Sequence, residues 1–322
     1  MGSTAIHYPL KGAAMHRPLI AVAGLMAALT LATLIGVLVD DRTLLGAPIW
    51  LKPLKFSISI AIYATTIAWL LPRLERRPRL GWWLGTVIAG TMLVEMVIIA
   101  GQAARGHQSH FNNRTPLDAT LYSIMGATIA IAWVATLIIA VLLLMQRMPD
   151  RADALAVRFG ILVALAGMGV GFLMTIPSAA QLATGHPTIV GAHAVGVPDG
   201  GPGLPLLGWS TTGGDLRAGH FIGMHALQAL PLFAFALALA GRRIARLRDE
   251  RVRARLIGVF GLLYAGLTAL VTWQALRGQP LVRPDAVTLS AAAALLLLAV
   301  AGAAWAGSAG AKATVAPAGA LA

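Results

Sequence analysis

Apolar runs of about 20 residues, each long enough to cross a hydrocarbon core ~30 Å thick, recur from one end of this chain to the other. Of its 322 residues, 58% are hydrophobic and only 11% are charged. A soluble domain carries roughly 25% charged residues. The runs are continuous rather than alternating, which excludes a membrane barrel. The pattern predicts an all-α, polytopic transmembrane bundle of about eight spans. They fall at 18–39, 48–71, 81–102, 118–146, 156–182, 218–240, 256–276 and 286–306. Lys11 and Arg17 precede a first run longer than a cleavable leader's, so it is expected to stay attached as a span. The whole of 1–322 reads as one transmembrane domain, with a disordered Ala/Gly-rich tail over 307–322.

The chain has no cysteine. Disulfides, thiolate catalysis, iron–sulfur clusters and Cys-ligated zinc are therefore excluded. Any haem or metal would be held by His, Met, Tyr or carboxylate.

Lys and Arg orient the spans. Arg73, Arg76, Arg77 and Arg79 fall at one end of the expected bundle, with Arg147, Arg151 and Arg158. Arg242, Arg243, Arg246, Arg248, Arg251, Arg253 and Arg255 join them. The opposite end is far less basic, which predicts both termini in the cytoplasm of a bacterium, across its inner membrane. The net charge of +13 is then a topology signal and an attraction to anionic lipid headgroups. The bilayer is the expected partner, and nucleic acid is not.

This orientation places His107, His110, His186, His193, His220 and His225 on the outer side, leaving His7 and His16 inside. Residues 186–228 concentrate the anomaly: four histidines, Asp199, Asp215, Arg217 and a Gly/Pro run that no membrane helix would contain. Asp215 is expected to cap the sixth span. His220 and His225 are five residues apart, ~7.5 Å of rise and ~140° of rotation on a regular helix. They would then serve different neighbours: His220 shares a side with Met224, and His225 with Gln228.

Three other stretches are candidates. Lys52, Lys55, Ser59 and Tyr63 share a face of the second span, as a cationic wall or as lysines snorkelling to headgroups. Glu95 lies inside the apolar third span, with Gln102 on the same face, as a paired structural group or an ion ligand. His107 and His110 have the spacing of a metal pair, and Thr115, Pro116 and Asp118 that of a helix start. Pro177 would kink the fifth span near its outer end. Spans two to six, 48–240, form the expected working core; 18–39, 256–276 and 286–306 are plainer scaffold.

Three strings carry a resemblance: Trp50-x-Lys52-Pro53-x-Lys55-Phe56, Ser109-His110-Phe111-Asn112, and Gly214-Asp215-Leu216-Arg217-x-x-His220-Phe221-x-Gly223-x-His225-Ala-Leu-Gln228. Over roughly 45–230 the chain resembles a group of bacterial multi-pass membrane proteins, a likeness that implies no activity. It is more faintly similar to haem A synthase in its span number, outward histidines and the Gly201-Pro-Gly203-Leu204-Pro205 loop. It departs from that family in lacking a Glu-x-x-His-Arg motif and a loop cysteine pair, so no catalytic residue is carried over.

The residues leave several functions open. One is an outward cofactor site for haem or a divalent metal, using His107, His110, His193, His220 and His225, with His107, His110, His220 and His225 as the metal set. Another is a transporter or sensor for a small polar or anionic solute, using Lys52, Lys55, Glu95, Gln102, Asp215, Arg217 and Gln228. A lipid-modifying hydrolase with metal-activated water and an accessory subunit also fit.

Overall fold

A computed structural model describes residues 15–308. His7 and residues 309–322 of the expected tail lie outside them, whereas Gly307 and Ser308 belong to the last helix. The chain is an all-α bundle of membrane-spanning helices. Those that run unbroken are α1 (Arg17–Val39), α2 (Leu51–Leu70), α3 (Pro78–Ala104), α4 (Pro116–Leu144), α9 (Glu250–Leu276) and α10 (Ala286–Ser308). A fifth span begins as α5 (Arg151–Met174) and ends in the single turn α6 (Ala179–Leu182). The sixth is divided into α7 (Leu216–Met224) and α8 (Ala226–Ala240). Seven of these units pass as spans by length and composition, and the bent α7–α8 pair brings the number to eight. This is a multi-pass membrane protein.

Short polar side chains start the helices where the apolar runs begin. Thr115 accepts from the Asp118 amide, with Pro116 in the first turn of α4. Asp150 caps α5 through the amides of Ala152 and Asp153, which starts that helix earlier than its apolar run implies. Asp215 caps α7 and Asp249 caps α9.

Two expectations need correction. Pro177 does not kink a continuous fifth span. α5 stops at Met174, Pro177 sits in the gap, and Ser178 restarts the chain with a capping box to Gln181. Nor is the sixth span a regular helix. It bends by 43° at His225, and Pro231 lies within α8. The break leaves the Ile222 carbonyl to the Tyr264 hydroxyl of α9, 2.9 Å away. That bond ties α9 to α7 at the break.

Water drives no burial between helices inside a bilayer, so close packing holds them. Glycines permit it. A methyl group on Gly167 of α5 would lie 2.5 Å from the Gly223 backbone of α7. The main core joins α1–α5 around Leu19, Met26, Ile67, Ile88, Ile139 and Ile161. A second packs α5, α8 and α9 around Val163, Leu230 and Ile257. A third, small cluster of Phe111, Val170, Met174, Leu216 and Ala275 lies beneath the loops at one end.

That end carries the 105–115 loop and the long 183–213 segment. Val190 donates to Phe111 O at 2.9 Å and Asn113 to Thr188 O at 2.8 Å, joining the two. Two short strands, Ala194–Val195 and Gly214–Asp215, pair antiparallel. The opposite, arginine-rich end is tied by Arg253 to Asp150 and by Gln146 to the backbone of Arg73 and Glu75.

Candidate functional site at the histidine-bearing end

The segment carrying His193 folds over the 105–115 loop and the start of α2. The His193 ring meets Phe111 edge-on at 4.8 Å, and the His110 ring lies 5.6 Å from Phe56. Lys55 Nζ donates to Leu207 O at 3.1 Å. Phe111 holds a left-handed backbone, φ 60°, although it is bulky and buried. Such a conformation persists only where surrounding bonds impose it, and here Val190 holds its carbonyl.

His193 Nδ1 lies 2.7 Å from Asp199 Oδ2. The carboxylate accepts, so Nδ1 carries the hydrogen and Nε2 keeps its lone pair. The same carboxylate accepts from the backbone amides of His193 and Ala194. Burial opposes the Asp199 charge, but the His193 ring and these amides outweigh it and hold the carboxyl well below the usual range. Burial lowers the His193 ring against the opposing pull of Asp199. His110 is pushed further down by burial and by the nearby charges of Lys52, His193 and His220.

His220 Nδ1 is 2.8 Å from Gly167 O, a carbonyl that can only accept, so its Nε2 is also bare. Glycine at 167 and 223 brings the two backbones close enough for that bond. His225 turns away toward the helix break. Its Nδ1 meets Gln228 Oε1 at 3.2 Å, and Gln228 donates to Thr66 Oγ1 at 2.9 Å. His220 and His225 do serve different neighbours.

Several candidate ligands are already committed to the fold. Asp118 is 0% exposed, and its carboxylate receives Gln102, Arg105, His107 and Thr115. Gln102 and His107 thus anchor the loop to α4. His107 and His110, expected to act as a pair, point at different partners: Asp118 for one, Ser109 and the aromatic wall for the other. Asp215 is buried, caps α7, accepts from Ser210 N, and is gripped by Arg217 through Nε and Nη2 at 2.9 and 2.6 Å. Arg217 also reaches Gly208 O at 2.6 Å. Gln228 is spent between His225 and Thr66. Among the described residues no three His, Asp or Glu side chains assemble as a metal ion would require. The set His107, His110, His220 and His225 is not brought together.

Lys52 is different. Its ammonium has no hydrogen-bond partner among the described residues and stands 5.8 Å from the Phe56 ring centroid. The charges it feels are Arg217 and Lys55, which repel it, and Asp199 and Glu95, which attract it. Glu95, 2% exposed in the interior of α3, has one hydrogen-bond donor, the Thr128 hydroxyl at 2.7 Å. Lys52, His110, His193 and His220 are all within electrostatic reach of His110 or one another, with Phe56, Phe111 and Tyr122 as walls.

Tyr122, Thr128 and Gly167 were not singled out by sequence. Asp199 stood out in the 186–228 segment, and Phe56 and Phe111 in the strings that carry the resemblance, but none of the three as a site residue. Comparison with known proteins adds nothing to this geometry: no family model, no curated protein and no solved structure matches the chain.

Proposed function

We propose that this is a bacterial inner-membrane protein whose histidine-bearing end faces away from the cytoplasm and binds a small organic anion there. The observation that carries the reading is Lys52, an unpaired ammonium held near two other cations. Arg217 is matched by Asp215, but no carboxylate is hydrogen-bonded to Lys52, and a desolvated ammonium without such a partner is unfavourable until an anion binds it. The walls formed by Phe56, Phe111 and Tyr122 favour an occupant with an apolar body, and the bare Nε2 atoms of His193 and His220 are placed to accept from a hydroxyl on that body rather than to bind its charge. Below Glu95 the interior becomes the apolar core around Ile67, Ile139 and Leu143, which favours binding over transport.

The purified chain, titrated with acetate, benzoate and sulfate, is expected to gain thermal stability with at least one, because ligand binding to the fold raises its midpoint. Lys52→Met should abolish that gain. No gain with any of the three, or an undiminished gain in the variant, would sink the reading. The orientation has its own test. The chain lacks cysteine, so Ala183→Cys should react with a membrane-impermeant maleimide on intact cells.

One observation favours a second reading, haem or a divalent metal. His193 and His220 each donate Nδ1–H, to a carboxylate and a backbone carbonyl, and leave Nε2 bare. Metal-ligating imidazoles are oriented in this manner. A Soret band or stoichiometric metal in the purified protein would decide for it, and absence of both would decide against.

A further inference from the structure

The turn between α8 and α9, at the end of the bundle away from the histidines, is both strongly basic and rigid. Arg248 Nε folds back onto Gly241 O at 3.2 Å. Arg253 donates to Leu247 O and Arg248 O and pairs with Asp150 at 3.1 Å. These bonds fix the turn so that Arg242, Arg243 and Arg246 project from it, exposed, their guanidinium groups without a hydrogen-bond partner among the described residues.

The neighbouring acids do not balance them. Asp249 accepts from the Arg251 amide, Glu250 from the Arg151 amide, and Asp150 from Arg253 and two amides of α5. Asp153 is drawn toward Arg73 and Arg253. Apolar groups lie beside the cations. Ile244, between them in sequence, is 52% exposed. Arg255 lies 4.3 Å from the ring centroid of Trp305, itself 57% exposed near the end of α10. Tryptophan of this kind sits where headgroups meet acyl chains.

We infer that Arg242, Arg243 and Arg246 form a binding site for the headgroup phosphate of an anionic lipid, with Ile244 against its acyl chains. Guanidinium groups bind phosphate with two parallel hydrogen bonds, and an anchored turn presents three of them without first having to be ordered. The site is independent of the anion site proposed at the opposite end.

The test uses the full chain in neutral detergent, with lipid binding read by native mass spectrometry. Phosphatidylglycerol should bind at least tenfold more tightly than phosphatidylcholine. The triple variant R242Q/R243Q/R246Q should weaken it on the order of a hundredfold, given what each basic group near an anionic surface contributes. R76Q/R77Q/R79Q removes the same charge from the α2–α3 connection and the first turn of α3 and should leave it unchanged. Millimolar inorganic phosphate should not displace the lipid. Equal losses in the two triples would make the attraction diffuse and overturn the site, as would equal binding of the two lipids. Displacement by inorganic phosphate would also overturn it, naming the free anion as ligand. Single R246Q, expected to cost about fivefold, carries the test if the triple variant folds poorly.

Discussion

The imidazole of His193 donates Nδ1–H to Asp199 across 2.7 Å, and the same carboxylate receives the backbone amides of His193 and Ala194. One acid thereby sets the tautomer of a ring and the path of the loop that carries it.

Acid should loosen this end of the molecule. His193 and His110 both bind a proton more weakly in the fold than the ordinary histidine value of 6.5, chiefly because they are buried. The unfolded chain therefore takes up more protons below that value, and stability falls with falling pH. The contribution is complete above pH 6.5 and is lost as the pH drops through the lowered values. The thermal midpoint in detergent is expected to hold steady from pH 8 to 7 and then decline toward pH 5, less steeply in His110→Asn. A midpoint that rises on acidification would contradict this.

Asp118→Ala should be among the most damaging single changes at this end. It strands Arg105, Gln102, His107 and Thr115 around a vacated carboxylate site that was fully buried. Arg105 and His107 are partly exposed and regain water, but the buried Gln102 amide loses its acceptor, at a cost of about 1–3 kcal/mol. Limited proteolysis should then cut within 105–115 faster than in the parent protein, while cleavage at the arginine-rich end stays the same.

Gly167→Ala and Gly169→Ala should differ sharply although they are two residues apart. The first puts a methyl 2.5 Å from the Gly223 backbone, whereas the second meets nothing within 4 Å. Overpacking of the first kind costs about 1–3 kcal/mol, and the second is expected to be neutral or slightly stabilising, since alanine favours helix. Thermal midpoints of the two variants compare them directly.

Tyr264→Phe keeps the ring and removes the donor to Ile222 O. The carbonyl freed at the helix break loses its partner, at a cost of about 1 kcal/mol. Hydrogen exchange around 222–228 should speed up, with little change in α1 or α10. Unchanged exchange there would mean that the break is held by packing alone.

The helical bundle was legible because membrane spans announce themselves by length and apolarity, and the caps at Thr115 and Asp215 because helix starts favour those residues. The break at His225 was less so. Pro231 signals trouble for the sixth span, yet the hydroxyl that accommodates the bend comes from Tyr264, on the next span. The site was legible in its residue types more than in its alliances. His107 and His110 look like a pair in sequence, but a turn of loop sends one to Asp118 and the other to Phe56. Gln102 looks available because nothing local shows that Asp118, sixteen residues on, already holds it. Lys52 stands out only once every other cation near it has been matched to a partner.

The contact between Gly167 and Gly223 has a further consequence. With no side chain between the two backbones, the height of His220 in the bundle is set by main-chain geometry and not by rotamer choice. Its imidazole is a fixed reference point, bonded to the very residue that lets the helices touch. Lys52, on a flexible four-carbon stem, is the adjustable counterpart. Molecules of different length could be accommodated by moving the ammonium alone, while whatever lies against His220 must conform to it.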